Sequence, residues 1–227
     1  MSPQIVAAVD EISLVGPISA AMLRDLPRAT AIGTLSLTAK KPKPFKMRTL
    51  AERAAKPRLA YFTQAVAHGL GGIHSLDKLW LWLKATPAAL RHVFAIPGLR
   101  VVDLLGLAPP GRLSGFSASK IEEFRCNSGL RESDLLEISA SVSLEQLGAQ
   151  SAELSIRAIT ALIAMPKLLS LDIEGSNFND AMAALLCGSD VMQSLEVGAT
   201  SLTGKGLAHL RTMKKLAVFR PMVNANY

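Results

Sequence analysis

The chain has 227 residues, of which 49% are hydrophobic, 5% aromatic and 19% charged, and its formal net charge is +7. This composition excludes a disordered chain, because too few residues are charged and too many are apolar. No run approaches the roughly 18 consecutive apolar residues that a membrane-spanning helix requires. The apolar residues recur at short intervals instead, which is typical of one long core filled by aliphatic side chains.

The N-terminus does not resemble a secretory signal. Residues 1–14 include Asp10 and Glu11 and lack a basic start followed by an apolar stretch. The two cysteines, Cys126 and Cys187, are too few for a disulfide framework and lack the spacing of metal ligands. We therefore expect a cytoplasmic protein.

An apolar triplet with the spacing L-x-x-L-x-L begins at Val9, and another begins 23 residues later at Ile32. A third possible triplet, beginning at Leu59, fits poorly, because the next clear one begins only 17 residues later, at Leu76. Either this unit is truncated or the basic segment before it interrupts the series. The sequence thus predicts an insertion or an irregular repeat at about positions 38–75.

The basic residues are concentrated in one segment. Eight of them lie between positions 40 and 58 with a single acidic residue, Glu52, so this segment accounts for the whole net charge of +7. Its proline-rich first part is typical of an exposed loop. Candidates for contact with an acidic protein or with nucleic acid phosphates are Lys40, Lys41, Lys43, Lys46 and Arg48. A solvated insertion is the competing interpretation, since Phe45 alone offers the aromatic stacking expected for nucleic acid.

From Leu76 onward the triplets recur regularly. Their first residues, 22 to 24 positions apart, are Leu76, Leu99, Ile121, Leu144, Leu168, Met192 and Leu216. Two further apolar columns repeat every 24 residues: Leu154, Phe178 and Leu202, and Leu162, Leu186 and Leu210. Coincident columns at one period indicate a solenoid of stacked units.

Each unit has the physical features that stacking requires. The L-x-x-L-x-L segment sends alternate residues to one side of a short strand, and the segment after it can form a short helix with an apolar edge. A single unit cannot bury both apolar edges. Stacked units can, and they place a parallel sheet on one side of a curved ribbon.

The units resemble leucine-rich repeats of the bacterial kind, with about 24 residues each. The clearest match runs from Met192 to Leu210, where Thr200 occupies the position of the family's Asn, Cys or Thr that bonds the turning backbone. Asn177 or Ser176 serves in the preceding unit. The likeness covers residues 76–222 well and 5–38 less clearly, and it fails at 108–111, where Ala-Pro-Pro-Gly predicts an irregular loop instead of a helix.

This resemblance implies an α/β leucine-rich-repeat solenoid. We expect one domain over residues 1–227, with about nine to ten units, a parallel sheet on the concave face, and short helices and loops on the convex face. The last unit lacks a helix and is expected to serve as the C-terminal cap.

We call the apolar residues of the triplets ladder residues. If they point inward, the residues between them point out of the sheet. Both tryptophans of the protein, Trp80 and Trp82, then lie on the exposed face of one strand, with Tyr61 expected on the adjacent unit. A register shifted by one residue would bury them and expose Leu79 and Leu81. A repeat core takes Leu more readily than Trp, which favours exposed tryptophans.

Several charged residues occupy outward positions of the same face. They are Lys78, Asp103, Arg125, Asp172, Glu174, Glu196 and Arg220. The three acidic residues from 172 to 196 form a patch between two arginines, suited to a basic partner surface. A solvated charged face is the competing interpretation.

No catalytic constellation is present. The segment Gly198–Gly206 has five residues between its first two glycines and lacks Ser or Thr after Lys205, so it does not match a phosphate-binding loop. The four histidines lack metal-ligand spacing. We therefore predict no enzyme activity, no cofactor and no metal.

The sequence favours a protein that binds a protein partner through the concave face of its solenoid. A small inhibitor is our specific hypothesis, such as an immunity protein that neutralises a toxin or another enzyme. The alternative is a nucleic-acid-associated protein that uses the basic segment at 40–58. An effector carrying a ligase domain is disfavoured, because the repeats leave no room for one. No membrane contact is expected.

Overall fold

The computed structural model describes residues 11–15, 32–38, 61–70, 73, 75–104, 113–127 and 129–221. Within these ranges nine strands form one parallel sheet. In order across the sheet they are β1 (Glu11–Val15), β2 (Thr34–Thr38), β4 (Lys78–Trp82), β6 (Val101–Leu104), β7 (Glu123–Cys126), β8 (Gln146–Ala149), β9 (Ser170–Asp172), β10 (Ser194–Glu196) and β11 (Val218–Arg220). A second, two-stranded sheet pairs β3 (Tyr61–Phe62) with β5 (Lys84–Ala85).

Short helices connect the strands and form the second layer. Those in the described ranges are α1 (Gln64–Leu70), α2 (Pro87–Phe94), α3 (Glu132–Ser139), α4 (Ile156–Ile163), α5 (Asp180–Leu186) and α6 (Gly204–Leu210). Consecutive helices pack on each other at α1–α2, α3–α4, α4–α5 and α5–α6. Side chains cap four of the N-termini by accepting backbone N–H bonds: Thr86, Ser155, Asn179 and Thr203.

The register of the large sheet follows the apolar columns of the sequence. Leu147 pairs with Leu171, and Leu171 pairs with Leu195. All three are buried, and the same column continues in both directions through Val102 and Phe219. The predicted α/β solenoid with one continuous apolar core is therefore confirmed.

The predicted turning positions also bond as expected. The side chain of Asn177 accepts from Leu154 N at 2.7 Å and donates to Leu154 O at 2.9 Å, which ties one unit to the previous one. Thr200 Oγ1 donates to Val197 O at 2.8 Å. Buried backbone groups of the turns are thereby satisfied without regular secondary structure.

Aromatic rings fill the unit between β6 and β7, whose described residues 113–122 contain turns and no helix. Phe116 and Phe124 meet edge to face, with ring centroids 4.8 Å apart, and Phe94 lies 5.1 Å from Phe116. Phe94 is the last residue of α2 and Phe124 is on β7, so Phe116 packs this unit against the helix before it and the strand after it. The irregular loop predicted at 108–111 lies outside the described residues.

The triplet beginning at Leu59 is not a rung of the large sheet. β2 pairs directly with β4, while Phe62 is buried in the small sheet, where its carbonyl accepts from Thr86 N at 3.0 Å. β3 and β5 take the same place in successive units, each before a helix. β2, β3 and α1 therefore belong to one unit, and residues 39–60, outside the described ranges, separate β2 from β3. The expectation that Tyr61 lies beside the tryptophans on the large sheet is wrong.

Four successive units turn through a residue with a left-handed backbone. The φ angles are 64° at Gly129, 57° at Ser151, 68° at Gly175 and 51° at Ala199. Two of these residues also link units, since Ser151 N donates to Glu174 O at 2.7 Å and Gly175 N donates to Gly198 O at 2.8 Å. The turn conformation repeats although the residue type does not.

Candidate binding site on the concave face

We call the side of the nine-stranded sheet turned away from the core the concave face. β4 shows the alternation most clearly: Leu79 and Leu81 are fully buried, whereas Trp80 is 36% and Trp82 46% exposed. The predicted outward orientation of both tryptophans is confirmed, and the register shifted by one residue is wrong. Successive side chains of a strand point to opposite faces of the sheet, so both tryptophans lie on the face opposite to Leu79 and Leu81.

Strand pairing brings the predicted outward residues into one row. This central row, read across the sheet, is Ser36, Trp80, Asp103, Arg125, Gly148, Asp172, Glu196 and Arg220. Lys78 and Trp82 lie on the same face of β4, two residues to either side of Trp80. Glu174 follows β9 and donates its backbone N–H to Asp172 Oδ1 at 3.0 Å. Whether these residues contact a partner stays a prediction.

Both arginines of the row are held by glutamates. Arg125 Nη2 lies 2.8 Å from Glu123 Oε1 on the same strand, and Arg220 Nη1 donates to Glu196 Oε1 at 2.6 Å across two strands. Both pairs are solvent-exposed and contribute little to stability. They neutralise the charges of Glu123 and Glu196, so the other carboxylates determine the electrostatic potential of the face.

Asp172 is held in place by hydrogen bonds and not by a cation. Its Oδ2 accepts from Gln150 Nε2 at 2.8 Å, and its Oδ1 accepts the backbone N–H of Glu174. Among the described residues no Lys, Arg or His side chain forms an ion pair with it. The carboxylate is therefore preorganised but keeps its negative charge uncompensated.

A pocket of about 410 Å³ opens on this face between β6 and β11. Its lining includes the row from Asp103 to Arg220, with Gly148 in the middle. A Cβ at Gly148 would lie 3.1 Å from Arg125 Cγ, so the absence of a side chain there lets Arg125 lie across the neighbouring strand. Gly148 is thereby buried beneath Arg125 and contributes only backbone to the lining of the pocket.

Asp103 closes the pocket beside Trp80. Its Oδ1 is buried and has no hydrogen-bond partner among the described residues. Burial raises the pKa of this carboxyl above the usual 3.8, Arg125 opposes that shift, and Glu123 adds to it. A buried carboxylate oxygen without a donor is costly, and such atoms mark places where a ligand can supply one.

Sequence reasoning did not select Gly148, Gln150 and Glu123 for the site. Gly148 was recognisable only as a gap in the central row. Gln150 and Glu123 act by bonding Asp172 and Arg125, and such pairings depend on side-chain geometry that no spacing in the sequence specifies.

Other features singled out in the sequence have structural roles or lie elsewhere. Gly206 is buried within α6 against Leu202 and Asp180, so the glycine-rich segment supports packing between units. Among the described residues no group of three or more His, Cys, Asp or Glu could hold a metal ion. The basic candidates Lys40, Lys41, Lys43, Lys46 and Arg48 lie outside the described ranges.

The helices that the structure describes are all too short to cross a membrane. Cys126 is buried at a ladder position, and Cys187 donates its Sγ–H to Ala183 O at 3.2 Å at the end of α5.

No family model matches the chain, and a search of curated proteins finds no match. Solved structures do resemble it. An internalin from Listeria monocytogenes is 13% identical, with a TM-score of 0.52 over 87% of this chain and 56% of the internalin chain. The TLR13–ssRNA13 complex is 15% identical, with a TM-score of 0.52 over 91% of this chain and 27% of the TLR13 chain.

These likenesses, together with the register of the sheet, show that the fold is a leucine-rich-repeat solenoid. The chain spans about half of the internalin and about a quarter of TLR13. At such low identity the resemblance concerns the fold alone, so the binding role rests on the site itself.

Proposed function

We propose that this protein is a binding scaffold that holds a protein partner against its concave face, with Trp80 and Trp82 as the main contact residues. The exposure of both tryptophans on one strand is the observation that carries the proposal. Large aromatic side chains are costly to leave in water, and they dominate binding energy when a partner covers them.

The opposite side of the molecule offers no comparable surface among the described residues. Its exposed large hydrophobic residues are Val142 in a turn, Ile156 on α4 and Leu185 on α5. Each is a single aliphatic side chain on a different element, and scattered residues of this kind are normal on protein surfaces. The paired tryptophans differ because they adjoin each other and a polar pocket.

Inhibition of an enzyme is the specific function that we propose within this class, in a bacterial cytoplasm and with a toxin as one possible target. A nine-stranded concave surface with an aromatic end and a charged end can cover the area of an active-site entrance. An inhibitor needs only such a surface, with no catalytic group or cofactor of its own.

Nucleic acid is the competing partner. The concentration of the whole net charge between positions 40 and 58 supports it, because contacts to phosphates need clustered Lys and Arg. The two hypotheses place the essential residues in different parts of the chain, which makes them separable by mutation.

Affinity capture with three matched baits tests the proposal: the unaltered chain, the Trp80→Ala/Trp82→Ala variant, and the Ile156→Ala/Leu185→Ala variant as a control for lost apolar surface. We expect one protein to be retained by the first and third baits. For that protein, purified and measured by calorimetry, Kd should rise about 30-fold or more with the tryptophan variant, since the loss of even one such contact costs about 2 kcal/mol. Unchanged affinity of the tryptophan variant would contradict the proposal.

Circular dichroism of each bait establishes that it is folded, and the single variant Trp82→Ala, at the more exposed tryptophan, serves if the double variant is not. Loss of all captured protein after nuclease treatment, and after neutralising Lys40, Lys41, Lys43 and Lys46, would favour the nucleic-acid hypothesis. For the inhibitor hypothesis, the captured enzyme should lose activity at a 1:1 ratio with the unaltered chain, as expected for a dedicated inhibitor.

A further inference from the structure

We infer that the part of the partner that lies on the concave face is a basic segment, with one Lys or Arg side chain seated in the pocket over Gly148 and an apolar side chain on Trp80 and Trp82. This inference rests on the proposed function and adds the chemistry of the partner. Four observations on the described residues support it: the charge of the face, the shape of the pocket, the state of Asp103, and the distance between the pocket and the tryptophans.

The concave face is acidic although the chain is basic. Its described charged residues are the cations Lys78, Arg125 and Arg220 and the anions Asp103, Glu123, Asp172, Glu174 and Glu196. The face thus carries an excess of two negative charges in a protein whose formal net charge is +7. Complementary charge steers a basic partner toward this face and repels an acidic one.

The negative charge that remains is concentrated at the pocket. Arg125 and Arg220 form ion pairs with glutamates, whereas Asp103 and Asp172, on opposite sides of Gly148, form no ion pair among the described residues. Both carboxylates line the same pocket, and its floor at Gly148 carries no side chain, so the end of a long side chain can lie between them. A volume of about 410 Å³ falls in the range of sites that enclose whole ligand groups.

Asp103 needs a donor that the described residues do not provide. Its Oδ1 is buried without a hydrogen bond, beside Trp80 on one strand and Arg125 on the other. An ammonium or guanidinium group carries several donors and no acceptor, so it satisfies such an oxygen and its neighbours at once. A neutral or acidic side chain would leave the atom unsatisfied or add repulsion.

The separation of the two subsites sets the spacing within the partner segment. Adjacent strands lie about 4.8 Å apart, so Gly148 is about 14 Å and Asp172 about 19 Å from Trp80 across the sheet. An extended chain advances about 3.3 Å per residue. The apolar and the basic residue of the partner should therefore lie about four to six positions apart.

A phage-displayed library of random peptides, selected on the folded protein at low salt, tests this inference. Selected sequences should contain Lys or Arg about four to six positions from a large apolar residue. For a synthetic peptide of this kind, Asp103→Asn/Asp172→Asn should raise Kd about tenfold or more, as for loss of hydrogen bonds to charged groups. Replacing its basic residue by Gln should have a similar effect.

The control variant is Asp190→Asn, which removes one exposed carboxylate from the turn after α5 and should leave Kd unchanged. Raising NaCl from 50 to 500 mM should also weaken binding, because screening grows over that range. Selected peptides without enriched Lys or Arg, or an unchanged Kd with Asp103→Asn/Asp172→Asn, would overturn the inference.

The tryptophan variant separates this inference from the proposed function. Peptides that lack a basic residue but lose affinity with Trp80→Ala/Trp82→Ala would leave the proposed function standing and overturn only the basic segment. Peptides that bind the tryptophan variant as well as the unaltered chain would contradict the proposed function itself.

Discussion

The two sides of the same strands differ in how varied their residues are. On the inner side, paired positions from β2 to β10 carry only buried apolar residues, such as Leu35, Val102 and Leu171. On the concave side, paired positions pass from Trp to Asp, Arg, Gly, Asp and Glu. Packing requires the same kind of residue in every unit, whereas a partner imposes a different requirement at each one.

This difference implies a division of roles. Residues that face the core, together with the turns and helices behind it, should determine the free energy of unfolding. Residues on the concave face should contribute little to it or even oppose it. Substitutions on each side, compared in the same denaturation assay, can break this division or make it quantitative.

The largest effect is expected for Leu171→Ala. Leu171 is fully buried in the middle of the ladder, between Leu147 and Leu195. Truncation leaves a cavity that neighbouring units cannot fill, so the free energy of unfolding should fall by about 3 kcal/mol. Urea denaturation followed by circular dichroism measures this, with Ser194→Ala on the concave side as the control. A loss below about 1 kcal/mol would contradict the division.

Gly206→Ala should have the next largest effect. A Cβ there would overlap Leu202 Cδ1 and lie 3.2 Å from Asp180 Cα, where backbone cannot give way. The expected loss is about 2 kcal/mol, as for overpacking in a close-packed region. Gly204→Ala is the matched control, because nothing lies within 4 Å of its Cβ, and it should be neutral or gain up to about 1 kcal/mol from helix propensity. Equal effects of the two variants would exclude steric crowding as the cause.

The inner side was predictable from the sequence because packing repeats. From the strand of Ile12 to the strand of Phe219, every predicted triplet pairs with its neighbours as its spacing indicates. The exception is the triplet that contains Phe62, which is not part of the large sheet. The prediction for that triplet was wrong because the short strand β3 has the same pattern of apolar residues as a strand of the large sheet. The separation of β2 from its own helix by residues 39–60 made the next unit look truncated.

For the site, the sequence predicted only which residues point out of the sheet. The outward positions followed from the register, and both tryptophans are exposed as expected. The pocket did not follow, because it depends on a missing side chain at Gly148 and on the pairing of Arg125 with Glu123. Such features arise from contacts between side chains of the folded protein, and the repeat spacing of the sequence does not specify these contacts.

The left-handed turns are a third case, and they allow a stabilising substitution. Ala199 and Ser151 adopt positive φ at the position where Gly175 stands in the unit between them, four residues after the buried leucine of the strand. A side chain in this conformation costs about 1 kcal/mol relative to glycine, so Ala199→Gly should raise the free energy of unfolding by about that amount.

Ala184→Gly, at an exposed helical position of α5, is the control for the added flexibility of glycine. It should lower stability by about 1 kcal/mol in the same assay. If both variants are destabilised alike, the left-handed conformation at Ala199 is not a source of strain.

The smallest effect, and the most informative for the site, is expected for Asp103→Asn. Burial raises the pKa of Asp103, so the folded protein holds this proton more tightly than the unfolded chain. The free energy of unfolding of the unaltered chain therefore falls as pH rises from about 3.8 through the higher pKa of the folded state. Asparagine does not titrate, so the free energy of unfolding of the variant lacks this dependence on pH. At pH 7 the variant should be more stable by about 0.5–1 kcal/mol, which is less than the cost of a fully buried unsatisfied polar group because this carboxyl is only half buried.

Below pH 3.8 that gain should vanish, since the carboxyl is then neutral in both states. Denaturation of both chains at pH 3 and pH 7, with exposed Asp190→Asn as the control, measures the difference. A variant that is less stable at pH 7 would assign Asp103 to the scaffold and break the division between the two sides. A variant that is more stable, yet binds basic peptides less well, would show that the folded protein keeps a destabilising carboxylate at the position where a cationic partner can satisfy it.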